Sequence, residues 1–213
     1  MITKLRRIAG FDLTGMASLA LWVARRRHGV PPGATAVPYS GAQTAMTSLF
    51  LFAMVVELFA VEILLRAFDA PAGLRAFFLF LDGYTVLAVL AVIASCVTRP
   101  HVVSPDGLRI RYGAFLDVRV PRERIASVRK IRRFDENGHV GVTDGRLAVA
   151  VASQTNVLIE LTRPITIVRP LGARAEVHAI RFYADVPGPL LAEIAAWSAE
   201  ESVRVRPDLM GER

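Results

Sequence analysis

Three carboxylates stand where a carboxylate is hard to accommodate. Glu57 falls near the middle of an apolar run, Met46–Phe68, Glu62 follows five residues later, and Asp82 lies in the first third of a second run, Ala76–Thr98. An ionisable side chain at hydrocarbon depth is protonated, paired, or turned toward protein or water, and such groups mark ion pathways and helix contacts. Glu62 has a partner in Arg66, four residues on and one helical turn away. Counted from the loop between the runs, Asp82 is expected at the depth of Glu62, which makes both interfacial. Glu57 has no charged neighbour, and Tyr84 or Thr85 is the expected depth-matched hydrogen-bond partner of its protonated form. Three readings stay open for Glu57: a helix or oligomer contact, proton or cation passage, and pairing with a basic residue of a partner.

Other chemistry finds little to stand on. His28, His101, His139 and His178 are scattered, with no carboxylate or cysteine at metal-ligand spacing, and the single Cys96 completes no zinc site with them. There is no glycine-rich phosphate loop and no nucleophile elbow; Thr143 and Asp144 are ordinary turn residues. The expectation is a protein that is not an enzyme and carries no cofactor or metal. The strongest charge feature is basic: Arg119, Arg122, Arg124, Arg129, Lys130, Arg132 and Arg133 in one segment, and Arg25, Arg26 and Arg27 in another. Little aromatic interleaving accompanies them, which argues against nucleic acid. Anionic lipid headgroups are the nearer polyanion, and a solvated strand edge is the plain alternative.

The elements that position these residues divide the chain. Each apolar run is long enough to cross about 30 Å of hydrocarbon, and the seven residues Asp69–Arg75 between them force an antiparallel hairpin over residues 44–98. Lys4, Arg6, Arg7 and Arg25–Arg27 precede the hairpin and Arg99, Arg109 and Arg111 follow it, whereas the loop has only Arg75 against Asp69. The positive-inside rule therefore puts both termini in the cytoplasm and the protein in the inner membrane, spanning it more than once. Residues 1–27, basic at both ends with about 13 apolar residues between, read as an amphipathic helix in the interface. Three arginines where a cleavage site would stand argue against a signal peptide. Residues 28–43, with Pro31, Pro32, Gly33, Pro38 and Gly41, read as a linker.

From residue 99 to 213 the period changes to alternation. Leu108, Ile110 and Tyr112 alternate with Arg109 and Arg111; Leu116, Val118 and Val120 alternate with Asp117 and Arg119. Further strands are expected at Arg124–Ile131, Arg146–Ala152, Val157–Leu161, Ile165–Val168 and Glu176–Tyr183, with an exposed loop over Phe134–Gly145. Pro187 and Pro189 open a last helix whose apolar face is Leu190, Leu191, Ile194, Ala195 and Trp197. The fold class is a membrane helical hairpin followed by a β-rich domain of about seven antiparallel strands and a C-terminal helix.

The segment Ser104–Gly113, followed by Val120-Pro121-Arg122-Glu123-Arg124-Ile125-Ala126-Ser127-Val128, resembles bacterial proteins that carry a pleckstrin-homology-like (bPH) domain beside membrane helices. Pro121, Ile125 and Val128 match that family's P-x-x-x-I-x-x-V pattern. Asn156–Leu161 with Pro164 is similar to actinobacterial membrane proteins. The resemblance implies a strongly bent sheet, nearly closed like a barrel and plugged at one end by the helix. It also implies a role in protein assembly, and carries no lipid-binding residue across. The expected function is a membrane-anchored, non-catalytic scaffold, its partner another membrane protein or copies of itself. The alternative is a channel or transporter subunit that uses Glu57.

Overall fold

The computed structural model describes residues Ile2–Arg204, with side chains over residues 10–197. The side chains of Lys4, Arg6 and Arg7, and the end of the segment expected to run to residue 213, lie outside what is described. Two helices, α2 (Gly41–Ala67) and α3 (Ala72–Thr98), are long and apolar enough to cross a membrane. The turn between them is shorter than the sequence pattern indicated, because helix α3 starts at Ala72, with Pro71 at its N-cap. That earlier start moves Asp82 a full turn deeper. Glu57 lies ten residues before the end of α2 and Asp82 ten residues after the start of α3, so the two are level; Asp82 does not share the depth of Glu62.

Helix α1 (Ile2–Val23) runs alongside α3 in the same direction. Phe11 and Leu13 lie with Tyr84 and Leu87, Gly15 meets Ala91, and Ser18 meets Arg99. Residues Ala91, Ala94, Ser95, Cys96 and Thr98 of α3 are buried, whereas α2 has no buried residue.

The β-rich part consists of two sheets, not one bent sheet. Sheet A has the order β1 (Thr35–Val37), β2 (His101–Ser104), β3 (Gly107–Tyr112), β4 (Leu116–Pro121), every neighbour antiparallel. Sheet B has the order β5 (Ile125–Arg133), β8 (Thr155–Val168), β9 (Arg174–Phe182), β7 (Arg146–Val149), β6 (Val140–Thr143). Helix α4 (Pro187–Arg204) packs on β1 and β2 of one sheet and β5 of the other, and Leu190, Ile194 and Trp197, one turn apart, enter the common core.

Several differences from the sequence pattern have clear causes. Residues 28–43 do more than connect: Thr35–Val37 extends sheet A, and Tyr39 is buried. Asp144 and Gly145 both have positive φ, the geometry of a two-residue hairpin turn, so Val140–Thr143 pairs with β7 instead of remaining loop. Val157–Leu161 and Ile165–Val168 belong to one long strand, interrupted by a register shift between Glu160 and Ile165 that contains Pro164. The β7–β9 pair is parallel, the one exception to antiparallel pairing among the described strands.

Candidate functional site

The alternation in β3 and β4 buries Leu108, Ile110, Leu116, Val118 and Val120 and leaves Arg109, Arg111, Asp117 and Arg119 on the opposite face of sheet A. Register decides what these four meet. Arg111 stands across from Asp117, but Arg109 stands directly across from Arg119. A like-charge pair at directly opposed positions is destabilising unless something compensates it.

The segment after α1 folds over this face. The His28 amide donates to the carbonyl of Thr98 at 2.8 Å, fixing the segment to the last residue of α3. Arg111, 1% exposed, donates to the carbonyls of His28 (2.7 Å) and Gly29 (3.0 Å), while its Nε is buried without a hydrogen bond, 4.0 Å from Asp117 Oδ1. Gly29 has φ 63°, a left-handed conformation that favours glycine, and a Cβ there would stand 2.6 Å from the Arg111 guanidinium and displace it. Asp117 accepts both hydrogen bonds of the Arg109 fork, one at 2.7 Å. Arg99 reaches Ser18 Oγ at 3.4 Å. Arg119 has no hydrogen bond or ion pair among the described residues.

The electrostatics show an excess of positive charge. Burial, reinforced by Arg109, pushes Arg111 down to about 10. Burial and Arg109 also lower Arg99. His28 is lowered by burial and then by Arg99, Arg111 and Arg109. Burial acts to raise Asp117, but hydrogen bonding and charge from Arg109, with Arg111 and Arg119, hold it below the usual carboxylate range. Between the Gly29–Pro31 segment and the sheet lies a cleft of about 570 Å³, its apolar walls Val102 and Pro121, its polar groups Arg109, Arg119, Ser104 and Asp106.

No family model, curated protein or solved structure matches this chain.

The other basic residues singled out in the sequence do not join this cluster. Arg122 donates to the Trp197 carbonyl at 2.7 Å and lies 5.6 Å from that ring, tying the Arg122–Arg124 turn to α4. Arg129 pairs with Glu160 at 2.7 Å, and Arg133 with Asp135 at 3.1 Å and Glu136 at 3.8 Å. Lys130, Arg132 and Arg133 line a smaller cleft of about 320 Å³ with Phe134 and Tyr183. Arg25, Arg26 and Arg27 are exposed immediately after α1. Arg109 and Arg111 were visible as part of the basic flank after the hairpin and as the outward members of an alternating strand; the pairing register, which sequence does not give, makes them a cluster with Arg119.

The acids of the hairpin also separate. Glu62 Oε1 accepts from Arg66 at 2.7 Å, as its spacing indicated, and from Arg75 of α3 at 2.6 Å, which joins the helices beside their turn. Glu57 is exposed and Asp82 half-buried, and neither has a hydrogen bond among the described residues; Thr85 donates to the Leu81 carbonyl instead. No cluster of three potential metal ligands occurs among the described residues.

A second group of residues joins the hairpin to the β-rich part. Tyr39 stacks on His101 at 4.6 Å, and its hydroxyl accepts the Gly113 amide at 2.6 Å. Gly113, φ 49°, brings the β3–β4 turn onto α3, where a Cβ would meet Ser95 Oγ at 2.6 Å. Asp185 accepts the Gly41 amide with both carboxylate oxygens, at 2.9 and 3.1 Å, placing negative charge at the N-terminus of α2. His101 is fixed in one tautomer: Nδ1 accepts from the Arg111 amide, so Nε2 carries the proton and donates to the Tyr183 carbonyl, each at 3.0 Å. Burial lowers its pKa to about 4.

Proposed function

We propose that the chain is a membrane-anchored, non-catalytic interaction module that assembles with another membrane protein or with copies of itself at the cytoplasmic face of the inner membrane. The observation that carries this reading is the level pair Glu57 and Asp82 on a hairpin whose α2 buries nothing. Carboxyl groups at that depth require protonation or a donor, and the described residues supply none. A partner helix along α2 answers both needs, since it covers the apolar surface and hydrogen-bonds the acids. The basic flanks favour the cytoplasmic orientation.

The β-rich part reads as pleckstrin-homology-like. Pro105 and Asp106 form the turn between β2 and β3, Pro121 ends β4, and Ile125 and Val128 lie on β5, with α4 against both sheets. Its rigid attachment through Tyr39, Gly113 and Asp185 suits a module whose interaction surface is held at a fixed attitude to the bilayer. Anionic headgroups are its second partner, through Arg25–Arg27 and the cationic face of sheet A.

The same two acids favour one other reading, an oligomeric channel or transporter subunit in which Glu57 and Asp82 face a hydrated path. Glu57→Gln and Glu57→Leu separate the two. For a scaffold, Gln preserves recovery of cross-linked complexes from membranes, Leu reduces it severalfold, and neither changes proton flux in reconstituted vesicles. Loss of a measurable flux in Glu57→Gln with assembly intact would replace the scaffold by the transport reading.

A further inference from the structure

We propose that the cleft between Gly29–Pro31 and the outer face of β3 and β4 binds a phosphate-bearing anion, with Arg119 and Arg109 as its contacting cations. The decisive feature is the pairing register. Arg109 and Arg119 are directly opposed across an antiparallel pair. Their one carboxylate neighbour on that face, Asp117, is committed to Arg109 and faces Arg111. Arg119 is therefore a guanidinium at the mouth of a cleft, unpartnered among the described residues and beside another positive group.

An anion between the two guanidiniums relieves the repulsion, and a phosphate matches the fork of an Arg donor set better than a halide does. The second row of charge reinforces it, since Arg111 and Arg99 stand behind Arg109. One carboxylate, Asp106, also lines the cleft, so its cations outnumber its anions two to one. The volume of about 570 Å³ lies within the range of small-molecule sites, and Val102 and Pro121 give it apolar walls.

Position bears on the source of the phosphate. The roof of the cleft begins at Gly29, next to His28, whose amide is bonded to the last residue of α3. If α2 and α3 span a bilayer, this is headgroup depth. That inference about source rests on the membrane reading above; the affinity for phosphate itself does not.

The test uses the full chain in a neutral detergent and measures binding of dihexanoyl-phosphatidylglycerol, dihexanoyl-phosphatidylcholine and inorganic phosphate. Saturable binding of phosphatidylglycerol is expected, weakened about fivefold in Arg119→Gln and about 25-fold in Arg119→Glu, following the contribution of one cation near an anionic headgroup. Arg146→Gln, on β7, should leave it unchanged. Melting temperatures of the free variants at or above that of the wild type establish that the fold is intact, as expected when a side chain without a partner and opposite a like charge is replaced. Comparable, competitive binding of inorganic phosphate identifies a free phosphate as the natural source, and its absence identifies the lipid headgroup. The proposal is overturned if no phosphate compound saturates, or if Arg119→Glu binds as the wild type does. Cross-linking of the Arg119→Glu variant in membranes keeps the two questions apart, because complexes formed along α2 should persist when headgroup binding is lost.

Discussion

Sheets A and B share one core, yet their polar groups answer to different parts of the molecule. In sheet A, apart from the Arg109–Asp117 pair, they reach outward: Arg111 to the carbonyls after α1, His101 to Tyr183, and the Gly113 amide to the hydroxyl of Tyr39. In sheet B the charged groups pair with one another or with the adjoining β5–β6 loop. Glu136, with a side chain 8% exposed, meets Arg181 at 3.1 Å and accepts from Thr155 at 2.9 Å, while Glu160 takes Arg129 and Ser127. Abundant arginine therefore has opposite meanings in the two sheets. Balanced within a sheet, it closes the surface; spent on neighbouring segments, it fixes the sheet to the hairpin and leaves Arg119 opposite Arg109 with no carboxylate of its own.

Removing the attachment of sheet A should produce the largest effect. Tyr39 is buried against His101 and Tyr112, and truncation to alanine leaves a cavity and an unpaired Gly113 amide. Tyr39→Ala should lose about 3–5 kcal/mol of stability, and Tyr39→Phe, which removes only the acceptor, about 1–3 kcal/mol. Urea denaturation of the full chain in detergent measures both. Equal stabilities of Tyr39→Ala and wild type would mean that the hairpin and sheet A are merely adjacent.

A pH titration sharpens the contrast, because its strongest contributor belongs to sheet A. His101 is held neutral, its pKa lowered from 6.5 to about 4. Between those values the unfolded chain binds a proton that the folded chain refuses. The full stabilisation is thus present above about pH 6.5, falls as pH decreases through the window, and is lost by about pH 4, a change of about 3 kcal/mol. His101→Gln should be less stable at neutral pH and should lack this part of the slope. A slope that persists unchanged in the variant would assign the titration elsewhere.

The parts legible in the sequence are those set by local period. Two apolar helices, the alternation of β3 and β4, and the apolar face of α4 follow from spacing alone, as does the Glu62–Arg66 pair. Long-range register was not legible. Whether Arg109 opposes Arg119 or Asp117 is a two-residue shift of register that keeps every side chain on its own face, so the alternation in either strand does not distinguish them. The depth of Asp82 depended on where α3 begins, and helix ends are weakly encoded. Strand β1 and the buried role of Tyr39 were hidden because Pro31, Pro32 and Pro38 dominate that segment, although a proline-flanked edge strand breaks no rule of pairing.

The smallest expected effect lies on sheet B, at Arg129 and Glu160. Their contact is close, at 2.7 Å, but the side chains are 59% and 48% exposed. Water and salt screen such a pair, and ordering two long side chains offsets much of the attraction. Arg129→Ala should lower stability by less than about 1 kcal/mol, with the difference fading at high ionic strength. A double-mutant cycle with Glu160→Ala isolates the coupling. A coupling energy of about 3 kcal/mol would overturn the contrast between the sheets, since it would mean that the β5 edge is held by its charges as firmly as sheet A is held by its contacts with the hairpin.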